Sequence, residues 1–196
     1  MWEAGFDSLW DRFYFIMKTL VFVTRNKNKI EDARKLLPEF TIEHIDFDVP
    51  EIQSMDPKKI IEHKLAFAYE KVRTPCFVMD ASLFFDCLHG FPGPFIKWWF
   101  EDTVGEEGTC EIARFLGKYG VQWTTVLGYF DGTRNHFLEE TIRARIAEHP
   151  AGTNGFHWDT IIIPEGSDHT LAEMSFEEKQ SYAPTKKLLH RLREII

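Results

Sequence analysis

A chain of 196 residues that is 44% hydrophobic, with 18 Phe and 6 Trp, has enough apolar surface for one core and sits near the upper size of an undivided domain. A formal charge of −8 argues against a nucleic-acid polymer as partner, which needs a basic footprint, but leaves room for a small anion gripped by a few convergent lysines. No run approaches the roughly 18 apolar residues of a membrane span, so no membrane partner is expected; three cysteines without CxxC spacing argue against a disulfide framework or a zinc site and fit a cytoplasmic setting.

Residues 1–16 are aromatic but interrupted by Asp7, Asp11 and Arg12, which spoils a signal peptide and reads as an N-terminal extension to a single domain over 17–196. Lys18 to Thr24 is β-branched and apolar, a first strand. Lys29 to Leu37 carries helical periodicity in Ile30, Ala33, Leu36 and Leu37 before Pro38 stops it. The polar turn between them, Thr24 to Lys29, puts free backbone N–H groups and lysine charge where a phosphate can rest, although it lacks the glycines of a Walker loop. The same composition also suits a solvated connector.

Phe40 to Val49 reads as a second strand, ending in Asp46, Asp48 and, past Pro50, Glu51, carboxylates that either supply oxygen ligands to a hard cation or simply solvate a strand end. Asp56-Pro57 is an N-cap with proline at the first helical position, and the helix to about Arg73 buries Ile61, Leu65, Ala68 and Val72 beside Lys64.

Cys76 to Met79 reads as a buried strand with Asp80 at its carboxyl end, the place where α/β proteins put their ligand crevice. A rigid Gly/Pro loop, Gly90 to Pro94, then leads to a helix with Lys97 and two tryptophans. Thr109 to Tyr119 is a helix with Gly120 at its end. Val121 to Phe130 and His136 to Ile146 flank a hairpin turn at Asp131-Gly132. Gly155 to Asp159 precedes a buried strand, Thr160 to Ile163; its Phe156 and Trp158 either stack a base or fill the core. Ser175-x-x-Glu178 is a capping box, and Pro184 separates that short helix from a basic terminal helix, Thr185 to Ile196.

In this order the segments resemble the inosine triphosphate pyrophosphatase family, which hydrolyses non-canonical purine nucleoside triphosphates to the monophosphate and pyrophosphate. The resemblance is carried by Thr24-x-Asn26-x-x-Lys29, Val49-Pro50-Glu51, Asp80, Gly90 to Trp98, Phe156-x-Trp158-Asp159, and Ala172-Glu173-Met174 with Glu178-Lys179. It implies an α/β fold with a long mixed central sheet and flanking helices, a homodimer for which Trp98, Trp99 and Phe100 are interface candidates, and Mg²⁺ as cofactor. It assigns Thr24, Asn26, Lys29 and Lys64 to the phosphates, Glu51 and Asp80 to the metal, and Asp80 with Lys29 to catalysis. Ser82, Lys97, Phe156, His157, Trp158, Asp159 and Lys179 would complete substrate binding.

The chain departs from that pattern at several points. Met79 replaces an acidic residue before Asp80, Ala81 replaces a Ser or Thr that Ser82 stands ready to substitute, His157 replaces a glycine, and Thr160 replaces a proline. The family's base-reading Ser-His-Arg triplet falls on Ala183-Pro184-Thr185, which implies altered base recognition. A nucleotide-binding module without catalysis, and a pyrophosphatase for a modified or pyrimidine nucleotide, are the alternative expectations.

Overall fold

Strand β1 (Thr19–Val23) lies beside β2 (Thr41–Ile45) on one side and β3 (Cys76–Phe85) on the other, parallel to both. The computed structural model describes residues 18–47 and 49–196; the N-terminal extension and Asp48 lie outside the described residues. Two long strands, β5 (Gly120–Phe130) and β6 (Asn135–Ile146), form an antiparallel hairpin on the far side of β3, and β7 (Ile162–Pro164) closes the sheet. The strand order is β2-β1-β3-β5-β6-β7, with the two-residue β4 (Pro92–Gly93) on β3, seven strands among the described residues. The expected mixed sheet is thus observed.

Helices cover both faces. Helix α1 (Lys27–Leu36) buries Ile30 and Ala33 against Phe22, Phe77 and Met79, and the terminal helix α6 (Pro184–Arg193) joins that cluster through Leu188, Leu189 and Leu192. Helix α2 (Pro57–Val72) covers the opposite face, where Ile61, Leu65 and Ala68 meet Val21, Val78 and Val126. It starts at the expected cap: the Asp56 carboxylate accepts from the N–H groups of Lys58 and Lys59. Alternation along β3 explains the two clusters, since Phe77 and Met79 face one layer and Val78 the other.

The chain after β3 runs the two expected helices, one with Lys97 and one from Thr109, almost into each other. A one-turn helix α3 (Ile96–Trp98) passes into a π-helical turn, Trp99–Thr103, and only then into α4 (Gly105–Leu116). Gly117, with φ +62, ends α4, three residues before the expected Gly120, which instead begins β5. Phe100 is a core residue and the partly buried Trp99 packs against the same cluster, its indole N–H donating to Thr109 Oγ1 at 2.8 Å, while Trp98 remains 59% exposed. No helix of the described residues is long and apolar enough to cross a membrane.

The loop before the aromatic segment is locked to a 3₁₀ turn, Leu171–Glu173. Thr153 and Asn154 both donate backbone N–H to the carbonyl of Ala172, and Thr170 Oγ1 donates to the carbonyl of Ala151. Gly152 makes this approach possible: at φ +85, a Cβ there would lie 2.3 Å from the Ala172 carbonyl carbon. Because both a strained backbone and a backbone clash arise, Gly152→Ala is expected to destabilise the fold by about 2–3 kcal/mol. Chemical denaturation would show a lowered midpoint, and an unchanged one would contradict this reading.

Candidate functional site

Asp80 sits in the middle of β3, not at its end. The small residues Ala81 and Ser82 look like the close of a strand, but β5 pairs with β3 without a break, setting Ala81 opposite Thr125 and Ser82 opposite Thr124. The other edge of β3 is shared. There β1 pairs at Cys76 and Phe77, β4 pairs at Leu83 and Phe84, and the stretch around Asp80 has neither as partner. Backbone groups and side chains at such a gap are open to a ligand, the same logic that places crevices at topological switch points.

Two lysines from two helices converge on Asp80. Lys29, in the first turn of α1, donates to Asp80 Oδ1 at 2.9 Å and to the Met79 carbonyl at 3.0 Å. Lys64, from the middle of α2, donates to Asp80 Oδ2 at 3.0 Å and to Glu51 Oε1 at 2.8 Å. The N–H of Ala81 also donates to Asp80 Oδ1, at 3.0 Å. Asp80 is 30% exposed and Lys64 only 13%. Burial alone raises the Asp80 carboxyl, but Lys29 and then Lys64 outweigh it and hold the group well below the usual carboxylate range. Burial likewise opposes the Lys64 charge, and the carboxylates of Asp80 and Glu51 together push its ammonium well above the ordinary lysine range.

These shifts set a pH window. A carboxyl whose folded value is depressed adds stability that is complete above its unfolded value near ~4 and fades as pH falls through the lower folded value. The acid side of the stability curve is therefore expected to flatten in Asp80→Asn. Melting temperatures measured from pH 6 downward would reveal it; parallel curves for variant and parent would refute it.

The turn that carries Lys29 is built by its own side chains. Asn26 caps α1, its Oδ1 accepting from the N–H of Lys29 at 3.2 Å, while Thr24 Oγ1 accepts from the N–H of Asn26 at 3.1 Å. His44 on β2 adds a contact that sequence reasoning missed, its Nε2 lying 2.9 Å from the Thr24 carbonyl. Asp46 pairs with Arg25 at 3.8 Å. Met79 turns its side chain into the core and reaches the site only through its carbonyl. Ser82 is buried in β3.

A second constellation surrounds Asp159. Phe156 and Trp158 stand with ring centroids 4.9 Å apart, and Trp158 reaches Phe100 at 6.1 Å. Asp159 is only 1% exposed; its Oδ2 accepts from Lys179 Nζ on α5 (Phe176–Tyr182) and from the N–H of Phe156. Helix α5 begins at the expected capping box, with reciprocal Ser175 and Glu178 bonds. Sequence reading missed Asp32 of α1, which lies close to this group: burial raises its carboxyl above the ordinary range, against the charge of Lys179 and a hydrogen bond from Gln180. Its place on the polar side of α1 gave no signal.

Lys97 and His157 face acidic side chains of the segment after β4. Lys97, 68% exposed, faces Glu101 one helical turn on, at 3.8 Å. The His157 imidazole stands between Glu101 and Glu106, 3.5 Å from each, rather than against the Asp159–Lys179 pair. Its backbone has φ +44, a left-handed conformation in which glycine is at ease and His is among the better-tolerated alternatives.

A protein from Methanopyrus kandleri named dITP/XTP pyrophosphatase is 38% identical over 91% of this chain and 95% of its own. The Inosine triphosphate pyrophosphatase of Schizosaccharomyces pombe is 33% identical over 92% of this chain and 96% of its own. Among solved structures, a HAM1 protein from Coxiella burnetii superposes with a TM-score of 0.77 at 20% identity, covering 91% of this chain and 98% of that one. The Ham1 protein of Staphylococcus aureus gives 0.76 at 23% identity, over 91% and 100%. The resemblance read in the sequence is borne out: the Ham1 profile matches residues 20–195, and the chain belongs to the Ham1 family.

Proposed function

We propose that the protein is a nucleoside triphosphate pyrophosphatase that releases pyrophosphate and a nucleoside monophosphate, acts on non-canonical purine nucleotides with an altered base preference, and uses Mg²⁺. One observation carries this reading: two lysines and two carboxylates from four chain segments meet at the open stretch of the β3 edge. The names of its relatives, dITP/XTP pyrophosphatase and Inosine triphosphate pyrophosphatase, support the reaction class.

The donor set fits Mg²⁺. Glu51 Oε1 and Asp80 Oδ2 already converge on one cation, the Lys64 ammonium, and carboxylate oxygens are what Mg²⁺ prefers. With two protein carboxylates, an ion there would complete its shell with waters and substrate oxygens, as Mg²⁺ commonly does. When bound there, the ion would neutralise phosphate charge and favour ionisation of water.

The chain's own part follows from its hydrogen bonds. Lys29 and Lys64 have anionic partners that a polyphosphate replaces, so they transfer from carboxylate to phosphate and stabilise charge on the departing pyrophosphate. Asp80, ionised throughout the neutral range, positions the attacking water as an acceptor. That water adds to the α-phosphorus as the bond to the bridging oxygen breaks. Phe156 and Trp158 supply the faces for the base, and Asp159 with Lys179 its edge.

Altered base preference is supported by the α5–α6 corner. Ala183 and Pro184 are buried there, and Ala183 belongs to the apolar cluster against which Trp158 packs. This wall offers no strong donor to a 6-oxo group. Exposed Trp98 and Phe91 support a homodimer, and three free cysteines among the described residues support a reducing, cytoplasmic setting. The test is a panel of canonical and deaminated triphosphates with Mg²⁺, assayed for pyrophosphate and orthophosphate separately. Pyrophosphate from at least one substrate is expected; orthophosphate alone from all of them defeats the assignment.

A further inference from the structure

Lys64 occupies an unusual position among the charged groups of the site. Its ammonium bridges Glu51 Oε1 at 2.8 Å and Asp80 Oδ2 at 3.0 Å, whereas Lys29 touches Asp80 Oδ1 and a carbonyl and leaves Glu51 alone. The helix behind it cannot move away easily, because its neighbours Ile61 and Leu65 are fully buried in the core between α2 and the sheet. The side chain therefore holds a single charge in the space between the two carboxylates. Those are the oxygens a divalent cation needs.

We propose that Lys64 is a built-in substitute for the metal in the nucleotide-free protein, excluding free divalent cations until a polyphosphate draws it off Glu51 and Asp80. The inference rests on the reading of Glu51 and Asp80 as the cation-holding pair. A divalent ion on the same two oxygens, Glu51 Oε1 and Asp80 Oδ2, would stand beside the ammonium that already occupies them, and in a partly desolvated site like-charge repulsion opposes joint occupancy. A triphosphate tail offers the ammonium a richer set of anionic oxygens. Once Lys64 turns to it, both carboxylates are released together, so metal and nucleotide each tighten the other's binding by the same factor. The site thereby favours the metal–nucleotide complex over either component and avoids holding an idle metal ion.

The test uses Mn²⁺ alone as probe on the full chain without nucleotide. Free Mn²⁺ is read by electron paramagnetic resonance, and thermal melts are recorded with and without the ion. The parent protein is expected to bind weakly, and Lys64→Met to bind one ion per chain at least about tenfold more tightly, a coupling of ordinary allosteric size. Lys64→Met should also gain melting temperature from Mn²⁺ that the parent does not. Lys29→Met is the charge-matched control, because it removes the same unit charge and leaves the bridge intact; equal tightening in that variant means a general field effect and overturns the proposal.

The parent alone supplies a check that needs no folded variant at position 64. Tight binding of one Mn²⁺ per chain without nucleotide, lost in Glu51→Gln, also overturns it. The triphosphate panel stands apart from this titration: absence of pyrophosphate release defeats the proposed activity, while the Mn²⁺ result judges the role of Lys64.

Discussion

Asp80→Asn is expected to lower pyrophosphate release by roughly 10²- to 10⁴-fold while leaving the protein folded and its nucleotide affinity unchanged or higher. The carboxylate accepts three hydrogen bonds, from Lys29, Lys64 and the N–H of Ala81. An amide of the same shape keeps one acceptor oxygen and turns an NH₂ donor toward a lysine ammonium. The water-positioning charge is gone, and so is one of the two oxygens proposed to hold the cation. The lysines, however, are freed from their strongest partner and become more available to a polyphosphate, while Glu51 still holds Lys64. Loss of turnover combined with retained binding separates a catalytic role from collapse of the site. Steady-state kinetics and equilibrium binding of a slowly hydrolysed triphosphate analogue measure the two halves; a variant that turns over normally removes Asp80 from the mechanism.

The convergence of Lys29 and Lys64 on Asp80 rests on local devices, which is why these residues stood out in the sequence. A cap at Asn26 fixes the first turn of α1 and hence Lys29, and a cap at Asp56 fixes the start of α2 and hence the face that carries Lys64. Helical spacing then does the rest. The extent of β3 was not legible, because Ala81 and Ser82 are weak strand formers and their pairing is imposed from outside, by the continuous register with β5. The same holds for Lys97. Its direction depends on the π-helical turn after Trp98, and no residue pattern announces that turn. The direction of the His157 ring was not legible either, since it follows from a left-handed backbone and from Glu101 and Glu106, more than fifty residues earlier. Gly117 and Gly120 illustrate a smaller ambiguity: either closes a helix acceptably, and only the demand of β5 for residue 120 decides between them.

Asp159→Ala is expected to have the largest effect on stability of any single substitution in the base-facing half of the site. The carboxylate ties the aromatic loop to α5: its Oδ2 takes the N–H of Phe156 in the loop and the ammonium of Lys179 on the helix. Truncation leaves that N–H without an acceptor and strands a largely buried ammonium, which together cost about 3–5 kcal/mol. For a chain of this size the melting temperature should fall by on the order of 10 °C. Asp159→Asn keeps the acceptor and loses only the charge, so its loss should be clearly smaller; equal losses would mean that the space filled, rather than the ion pair, matters. Gly155 gives independent support for a tight fit, because a Cβ there would lie 2.1 Å from Asp159 Oδ2. The second oxygen, Oδ1, is buried without a hydrogen-bond partner among the described residues. A buried acceptor in that condition is costly unless something donates to it, and a base N–H entering beside Phe156 and Trp158 is suited to do so. Asp159→Asn should therefore compress the ratio of kcat/KM between bases that present such an N–H and bases that do not, even where the fold survives. A substrate panel run at a temperature well below the variant's melting point measures that ratio apart from stability, and an unchanged ratio would leave Asp159 with a purely structural role.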